Sequence, residues 1–274
     1  MKYPLIAAKV ASENWALLPA TFGAIYSRVF GASSGPVMMM PEPPEMPEDE
    51  DECEGEIVGG TFTRMIPVFG ILGKHLDNME MACGGCSIDR VSAMLSEADA
   101  DPECARIIMA FHSPGGTVTG IPELAAKIKD VSSRKPIIAY TDGQCCSAAL
   151  WLASQADTFL VSPSACVGSV GVYNLILDES RAMEMEGLKV QAVSDGKFKL
   201  TGAPFKPLND EEKAMLQARV DGIGVAFRAA LTASREIAPE DMQGQTFTGL
   251  EAVAKGFADG LADDLDEVLE IAAG

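Results

Sequence analysis

A serine lies where this chain is predicted to pass directly from a strand into a helix. Ser147 follows the apolar residues 136–140 and opens a segment whose apolar residues recur at helical spacing. Such a turn exposes the hydroxyl and directs the first unpaired N–H groups of the helix, beginning with that of Ala148, toward it. A hydroxyl nucleophile beside backbone donors that stabilise an oxyanion is half of a site for acyl transfer.

A second turn, which is rich in glycine, lies earlier in the chain and follows the apolar residues 106–111. Pro114 leads there into Gly115 and Gly116, which allow the backbone to turn steeply and bring bare N–H groups close to a ligand. Because the carboxyl ends of parallel strands meet at one edge of a sheet, we expect the two turns to lie together. Gly115 and Ala148 are then the predicted oxyanion donors.

The base that would activate the serine is less evident from the residues alone. His75 lies well before these turns and reads as a surface residue, whereas His112 adjoins the glycine turn and is a weak alternative. No histidine follows Ser147, so a Ser-His-Asp triad is not expected. Lysine can serve once burial or a nearby positive charge lowers its pKa from about 10.4. Spacing alone leaves the choice open among Lys189, Lys197, Lys199, Lys206, Lys213 and Lys255.

Seven cysteines at irregular spacing indicate reduced thiols and a cytoplasmic protein. Cys83 and Cys86 have the spacing of a zinc knuckle, but no second pair completes four ligands, so no metal or cofactor is predicted. Cys145 and Cys146 directly precede Ser147 and raise the alternative of a thiol nucleophile. The position of the turn favours the serine.

Strands that are apolar throughout alternate with amphipathic helices after residue 57, which predicts an α/β fold with parallel βαβ units. Strands are expected at residues 65–72, 106–111, 136–140 and 158–161, and helices at residues 87–100, 121–131 and 210–233. Asn209 is the expected N-cap of the last helix, which carries acidic residues in its first turn.

Composition divides the chain into three predicted parts. Residues 1–35 form a helical N-terminal extension in which Trp15, Phe22 and Tyr26 could anchor docking. Residues 36–56 form an acidic, proline-rich linker, with nine acidic and no basic residues from Glu42 to Glu56. Residues 57–274 form the domain that carries the site.

The charge and the hydropathy pattern exclude two classes of partner. A net charge of −19 leaves no basic stripe for nucleic acid. No run of roughly 18 uninterrupted apolar residues occurs, so no membrane span is predicted. The short, interrupted apolar run after Lys2 is not a secretory signal.

Five segments, in this order, resemble the signal peptide peptidase family of Ser-Lys peptidases, peptidase family S49, over roughly residues 60 to 265. They are FHSPGG, GQCCSAALWLA, SPSACVGSVGVY, GKFKLTGAPFKPLNDEE and GQTFTGLEAVAKGFADG. The resemblance implies the ClpP/crotonase-like fold and a serine endopeptidase with Ser147 as nucleophile. Lys199 aligns with the general base, supported over Lys197 by the spacing to Pro204, and Ser169 aligns with a serine that holds the lysine amine.

Two further site residues and two departures follow from the same resemblance. Gly115 and Ala148 fall where the family has its oxyanion donors. Cys145 and Cys146 replace the small residues usual before the nucleophile, and Ala148 replaces a frequent glycine.

The N-terminal patch and the acidic linker are most like the phage branch of this family, the head-maturation or capsid-assembly proteases. The resemblance then implies scaffold and capsid precursors as substrates, action in the host cytoplasm or prohead, and a homo-oligomer whose lysine and serine can come from neighbouring subunits. The alternatives are a bacterial cytoplasmic member of the family that degrades peptides, a crotonase-like acyl-CoA enzyme, and a non-catalytic assembly protein.

Overall fold

The computed structural model describes residues 13–23, 55–58 and 61–273. Its central sheet has six strands, all parallel except the last, which pairs antiparallel with its neighbour. From one edge to the other they are β13 (Gly260–Leu261), β10 (Thr158–Val161), β8 (Ile137–Thr141), β6 (Cys104–His112), β3 (Thr61–Phe69) and β2 (Gly55–Val58).

The central strands are apolar throughout because both faces of the sheet are covered. Successive side chains of β6 point to opposite faces, so that Ile108 and Met109 enter different cores. Ile108 packs with Tyr140 and Leu160 on one face, and Met109 belongs to the larger core on the other. The predicted α/β class with parallel βαβ units is confirmed.

Two smaller sheets contain the strands that adjoin Gly115 and Ser147. The first contains, in spatial order, β1 (Trp15–Leu17), β7 (Gly115–Thr117), β4 (Ile71–Gly73) and β5 (Gly85–Ser87). The second contains β12 (Thr246–Thr248), β11 (Cys166–Gly168) and β9 (Gln144–Cys146). A single parallel bridge between Ser113 and Cys145 joins the chain just before β7 to β9. The turns that follow β6 and β8 are therefore fixed side by side.

Besides a short helical stretch at residues 19–23, the described residues form eight α-helices. They are α1 (Asn78–Ala82), α2 (Ile88–Ala100), α3 (Ile121–Ser132), α4 (Ala148–Ala153), α5 (Ser180–Met185), α6 (Asp210–Thr232), α7 (Gly249–Ala254) and α8 (Leu265–Ala273). The helices predicted for residues 87–100, 121–131 and 210–233 are confirmed as α2, α3 and α6. Asn209 caps α6 as predicted, and its side chain accepts a hydrogen bond from the Glu212 N–H at 2.9 Å.

The N-terminal region agrees with the predicted helix between Trp15 and Tyr26 only in part, because residues 19–23 are helical and Trp15–Leu17 are not. Trp15–Leu17 is a strand, because it pairs along the edge of β7 and Trp15 packs against Phe22 and Tyr173. Tyr26 and residues 36–54 lie outside the described residues. Gly55 and Glu56, assigned to the linker, belong to β2. The division into residues 1–35, 36–56 and 57–274 stays a prediction.

Within the described ranges, no helix is both long enough and apolar enough to cross a lipid bilayer.

Candidate active site

Ser147 occupies the turn between β9 and α4, as the sequence predicts. Its φ of 56° and ψ of −117° lie in a region that L-residues rarely adopt, at a cost on the order of 1–3 kcal/mol. Two backbone hydrogen bonds fix the turn. The Ser147 N–H donates to the Gly168 carbonyl at 2.8 Å, and the Trp151 N–H donates to the Ser147 carbonyl at 3.0 Å. Every residue of α4 is buried, so the packing of this helix maintains the strained conformation.

The Ser147 hydroxyl lies inside the protein without a hydrogen-bonding partner. The residue is 1% exposed, and its Oγ makes no hydrogen bond within the described part of the chain. Leaving a buried hydroxyl in this state costs about 1–3 kcal/mol. Such groups are few in folded proteins and indicate a role other than folding. A strained turn that holds an unpaired hydroxyl is the arrangement expected of a nucleophile.

The glycine turn lies directly against Ser147. Gly115 has a φ of 101°, and a Cβ added to it would lie 3.0 Å from both the Ser147 Cβ and the Cys146 carbonyl oxygen. The Ser113 N–H donates to the Gln144 carbonyl at 2.7 Å, and the Cys146 N–H donates to the Ser113 carbonyl at 3.1 Å. The structure thus confirms that the two turns meet, and a side chain at Gly115 would fill the space between them.

The two predicted oxyanion donors differ in their surroundings. Ala148 is the first residue of the buried helix α4, where N–H groups have no partner within the helix. The Gly115 N–H donates instead to the Ser113 Oγ at 3.2 Å. Ser113 in turn donates to the Gly70 carbonyl at 2.6 Å and so fastens the glycine turn to the end of β3. Ser113 is a site residue that the sequence analysis did not identify. Its position directly before Pro114 and the two glycines could have indicated that it belongs to this turn. The oxyanion roles of Gly115 and Ala148 stay predictions.

Ser169 lies beside Ser147 at the end of β11. The parallel register pairs Cys146 with Gly168, so the two serines follow the last paired residues of adjacent strands. Ser169 is 6% exposed, and its N–H donates to the Gln245 carbonyl at 2.5 Å. The structure therefore places Ser169 next to Ser147 at one edge of the sheet, and its role in orienting the lysine amine stays a prediction.

No lysine in the described part of the chain forms a hydrogen bond with the Ser147 hydroxyl. Lys199 is exposed in the loop between α5 and α6, and its N–H donates to the Gly196 carbonyl at 3.2 Å. Lys197 forms an exposed ion pair with Glu211 at 2.7 Å. Lys206 forms an ion pair with Glu212 at 2.6 Å. A base role for Lys199 thus needs either a movement of this loop or a second subunit.

Neither histidine contacts the nucleophile. His112 is exposed at the end of β6 and packs over Gly143, where an added Cβ would overlap its imidazole ring. His75 is exposed, and its Nδ1 lies 3.1 Å from an Asp89 carboxylate oxygen. Since the Ser147 Oγ has no partner among the described residues, neither imidazole serves it as a base in this arrangement.

The cysteines before Ser147 are poor nucleophiles. Cys145 and Cys146 are fully buried. Burial raises the pKa of the Cys145 thiol, and the hydrogen bond with Cys166, together with burial, raises the pKa of the Cys146 thiol. Thiols held protonated in this way react slowly. In the ranges that the structure covers, no group of three or more His, Cys, Asp or Glu side chains could hold a metal ion.

The chain is similar in sequence to two phage proteins. The chain is 29% identical over 207 residues to the capsid assembly protease C of Escherichia phage lambda, covering 74% of this chain and 47% of that protein. It is 27% identical over 207 residues to the head-tail preconnector protein GP5 of Enterobacteria phage P21, covering 74% of this chain and 41% of that protein. The chain spans about half the length of these curated relatives.

A solved structure and a family model complete the comparison. The crystal structure of an enoyl-CoA hydratase/isomerase family member is similar with a TM-score of 0.38 and 16% identity, over 80% of this chain and 73% of that chain. The model described as Peptidase family S49 matches residues 129–273, more than half of the chain and the part that contains Ser147, Ser169 and Lys199. The chain therefore belongs to peptidase family S49.

Proposed function

We propose that this chain is a serine endopeptidase with Ser147 as its nucleophile. The observation that carries the proposal is the buried, unpaired Ser147 Oγ at a strained turn, between the glycine turn and the start of α4. The Ser147 oxygen attacks a peptide carbonyl and gives its proton to a base. The C–N bond then breaks, the amine leaves with that proton, and water hydrolyses the ester. Backbone N–H groups at the two turns stabilise the oxyanion.

The proposed base is the Lys199 amine, oriented by Ser169. An amine acts as a base near neutral pH only when it is desolvated, and the exposed Lys199 of a single subunit lacks that environment. A neighbouring subunit in a homo-oligomer supplies it. The loop between α5 and α6 supports this arrangement because it exposes large apolar side chains, Leu188, Val190 and Val193 among them.

The proposed substrates are scaffold and capsid precursor proteins, cleaved in the host cytoplasm or prohead. The support is the similarity to a capsid assembly protease and a head-tail preconnector protein. A reducing compartment is supported by Cys146 and Cys166, whose sulfur atoms lie 3.8 Å apart as free thiols. An extended protein segment fits a site built between the edges of strands.

The test is reaction with a fluorophosphonate, followed by mass spectrometry of the adduct and of casein added as a substrate. We expect labelling at Ser147 and casein cleavage in the oligomer, and neither in Ser147→Ala or Lys199→Met. Lys197→Met is the matched control and is expected to behave as the wild type. If a confirmed oligomer neither labels nor cleaves, the proposed activity is wrong. If Lys197→Met is inactive and Lys199→Met active, the assignment of the base is wrong.

A further inference from the structure

The N-terminal strand β1 lies in the groove that runs past Ser147. It pairs antiparallel with β7, and on its other edge Trp15 exchanges two hydrogen bonds with Tyr173, at 2.9 and 3.0 Å. Its three residues are at most 5% exposed. A segment held by backbone hydrogen bonds on both edges is bound as proteins bind extended peptides. The groove of the proposed peptidase therefore already contains a peptide, and that peptide belongs to this chain.

The hydrogen-bond pattern identifies the carbonyl that this strand offers to the site. The Val118 N–H donates to the Asn14 carbonyl, and the Leu18 N–H donates to the Pro114 carbonyl, both at 3.0 Å. Hydrogen-bonded pairs recur at every second residue in an antiparallel ladder. The register pairs Ala16 with Gly116 midway between those two bonds, so the Gly116 N–H faces the Ala16 carbonyl.

The same carbonyl lies beside the nucleophile. A Cβ added to Gly115 would overlap the Ala16 carbonyl oxygen and would lie 3.0 Å from the Ser147 Cβ. Only the small Gly115 thus separates the Ala16 carbonyl from the serine. Of the peptide bonds in β1, the bond between Ala16 and Leu17 is the one presented at this point.

The side chains of β1 show which residues the groove accepts. Ala16 is fully buried in the main core, where a larger side chain has no space. Trp15 packs edge-on against Phe22, with ring centroids 5.4 Å apart, and Phe22 packs in the same way against Tyr173. Leu17 is 1% exposed in this aromatic cluster. The groove thus fits a small residue at the position of Ala16, with bulky apolar residues before and after it.

We propose that β1 is an internal substrate and that Ser147 cleaves the bond between Ala16 and Leu17. This inference rests on the proposed peptidase function. The Ser147 oxygen attacks the Ala16 carbonyl carbon, and its proton passes to the Lys199 amine. The C–N bond breaks, the Leu17 amine leaves with that proton, and water converts the ester to an Ala16 carboxylate and restores the hydroxyl. Segments of similar sequence in other proteins then enter the same groove.

The experiment follows the intact mass of the purified full chain over time and maps its new N-terminus. We expect a product that begins at Leu17 in the wild type and none in Ser147→Ala, whose fold is checked by circular dichroism. A synthetic peptide of residues 13–22 provides a second measurement that does not depend on folding of a variant. We expect cleavage after Ala16, not after Ala20, and at least a ten-fold slower rate for the Ala16→Phe peptide.

The outcomes separate this inference from the function on which it rests. If the protein labels with a fluorophosphonate and cleaves casein but leaves both its own N-terminus and the peptide intact, β1 is not a substrate while the peptidase assignment stands. Cleavage of the chain only at another bond also overturns the inference. If a confirmed oligomer neither labels nor cleaves any of these substrates, both proposals fail.

Discussion

Ser147 and Ser169 follow adjacent parallel strands and share a left-handed backbone, with φ angles of 56° and 57°. The Gly168 carbonyl accepts a hydrogen bond from the Ser147 N–H at 2.8 Å, so the last residue of β11 supports the turn that holds Ser147. A positive φ is uncommon for residues other than glycine, and here two serines at one sheet edge both have it. Backbone strain of this kind concentrates at functional sites. The proposed nucleophile Ser147 and the residue proposed to orient its base, Ser169, are thereby held at fixed positions by adjacent strands.

A mixing experiment tests whether the dyad forms between subunits. Ser147→Ala and Lys199→Met are each expected to be inactive. If the lysine of one subunit serves the serine of the next, mixed oligomers of the two variants recover part of the wild-type casein cleavage, since some sites then contain both intact residues. Recovery is measured after dissociation and reassembly, with each variant reassembled alone as the control. No recovery, in oligomers shown to be mixed, would indicate a dyad within one subunit.

Substitutions of Ser147 are expected to separate stability from activity. Glycine adopts its backbone angles without strain, so Ser147→Gly should be more stable than Ser147→Ala by about 1–2 kcal/mol, although both are inactive. Ser96, exposed within α2, is the matched control, because alanine there should be more stable than glycine by about 1 kcal/mol. Urea unfolding of the four variants measures both differences. Equal stability of the two Ser147 variants would contradict the strain argument.

Gly116 is expected to tolerate no side chain. A Cβ at this position would overlap the backbone of Leu72 in the neighbouring strand β4. Gly116→Ala should therefore lower the free energy of unfolding by about 1–3 kcal/mol and disturb the glycine turn. Gly171→Ala is the control, because nothing lies within 4 Å of its added Cβ, and its effect should stay within about 0.5 kcal/mol. Similar unfolding midpoints for the two variants would count against this packing.

The thiol of Cys166 is expected to be far more reactive than that of Cys146. A hydrogen bond from Cys146 lowers the pKa of Cys166 to about 6, and Cys166 is partly exposed whereas Cys146 is buried. Alkylation of Cys166 by iodoacetamide should therefore rise with pH around a midpoint near 6, because the thiolate is the reacting form. Mass spectrometry at several pH values, in a Cys83→Ser background, measures the profile. A midpoint at the ordinary thiol value of about 8.5 would contradict it.

The ion pair between Lys206 and Glu212 is expected to make stability depend on pH. The hydrogen bond from Lys206 lowers the pKa of Glu212 below its ordinary value of 4.5. Because the pKa of Glu212 is lower in the folded state than in the unfolded state, its carboxylate stabilises the fold above pH 4.5. This stabilisation is lost as the pH falls through the pKa that Glu212 has in the folded state. Glu212→Gln should therefore lower the melting temperature at pH 7, and the difference from the wild type should shrink in acid.

Glu211→Gln is the matched control for this ion pair. Glu211 pairs with Lys197 on the surface, where both side chains are more than half exposed, so its removal should change the melting temperature little. Equal changes in melting temperature for the two substitutions at pH 7 would show that the burial of Glu212 does not increase the contribution of its ion pair to stability.

The sequence by itself determined the class of the fold, because apolar strands covered on both faces leave a continuous hydrophobic signal. It also located the turn at Ser147, since the period of the apolar residues changes there from strand to helix. Pro114 with Gly115 marked the second turn in the same local way. These features depend on residues close together along the chain.

The tertiary structure decided what depends on residues far apart. The strand at Trp15–Leu17 forms because it pairs with the edge of β7 and with the backbone of Tyr173, both of which lie far away along the chain. The hydrogen bond from Ser113 to the Gly70 carbonyl and the exposed position of Lys199 are likewise set by packing and not by spacing along the chain. Pairing between distant strands is fixed by edges and cavities that exist only after folding, so no local pattern in the chain encodes it.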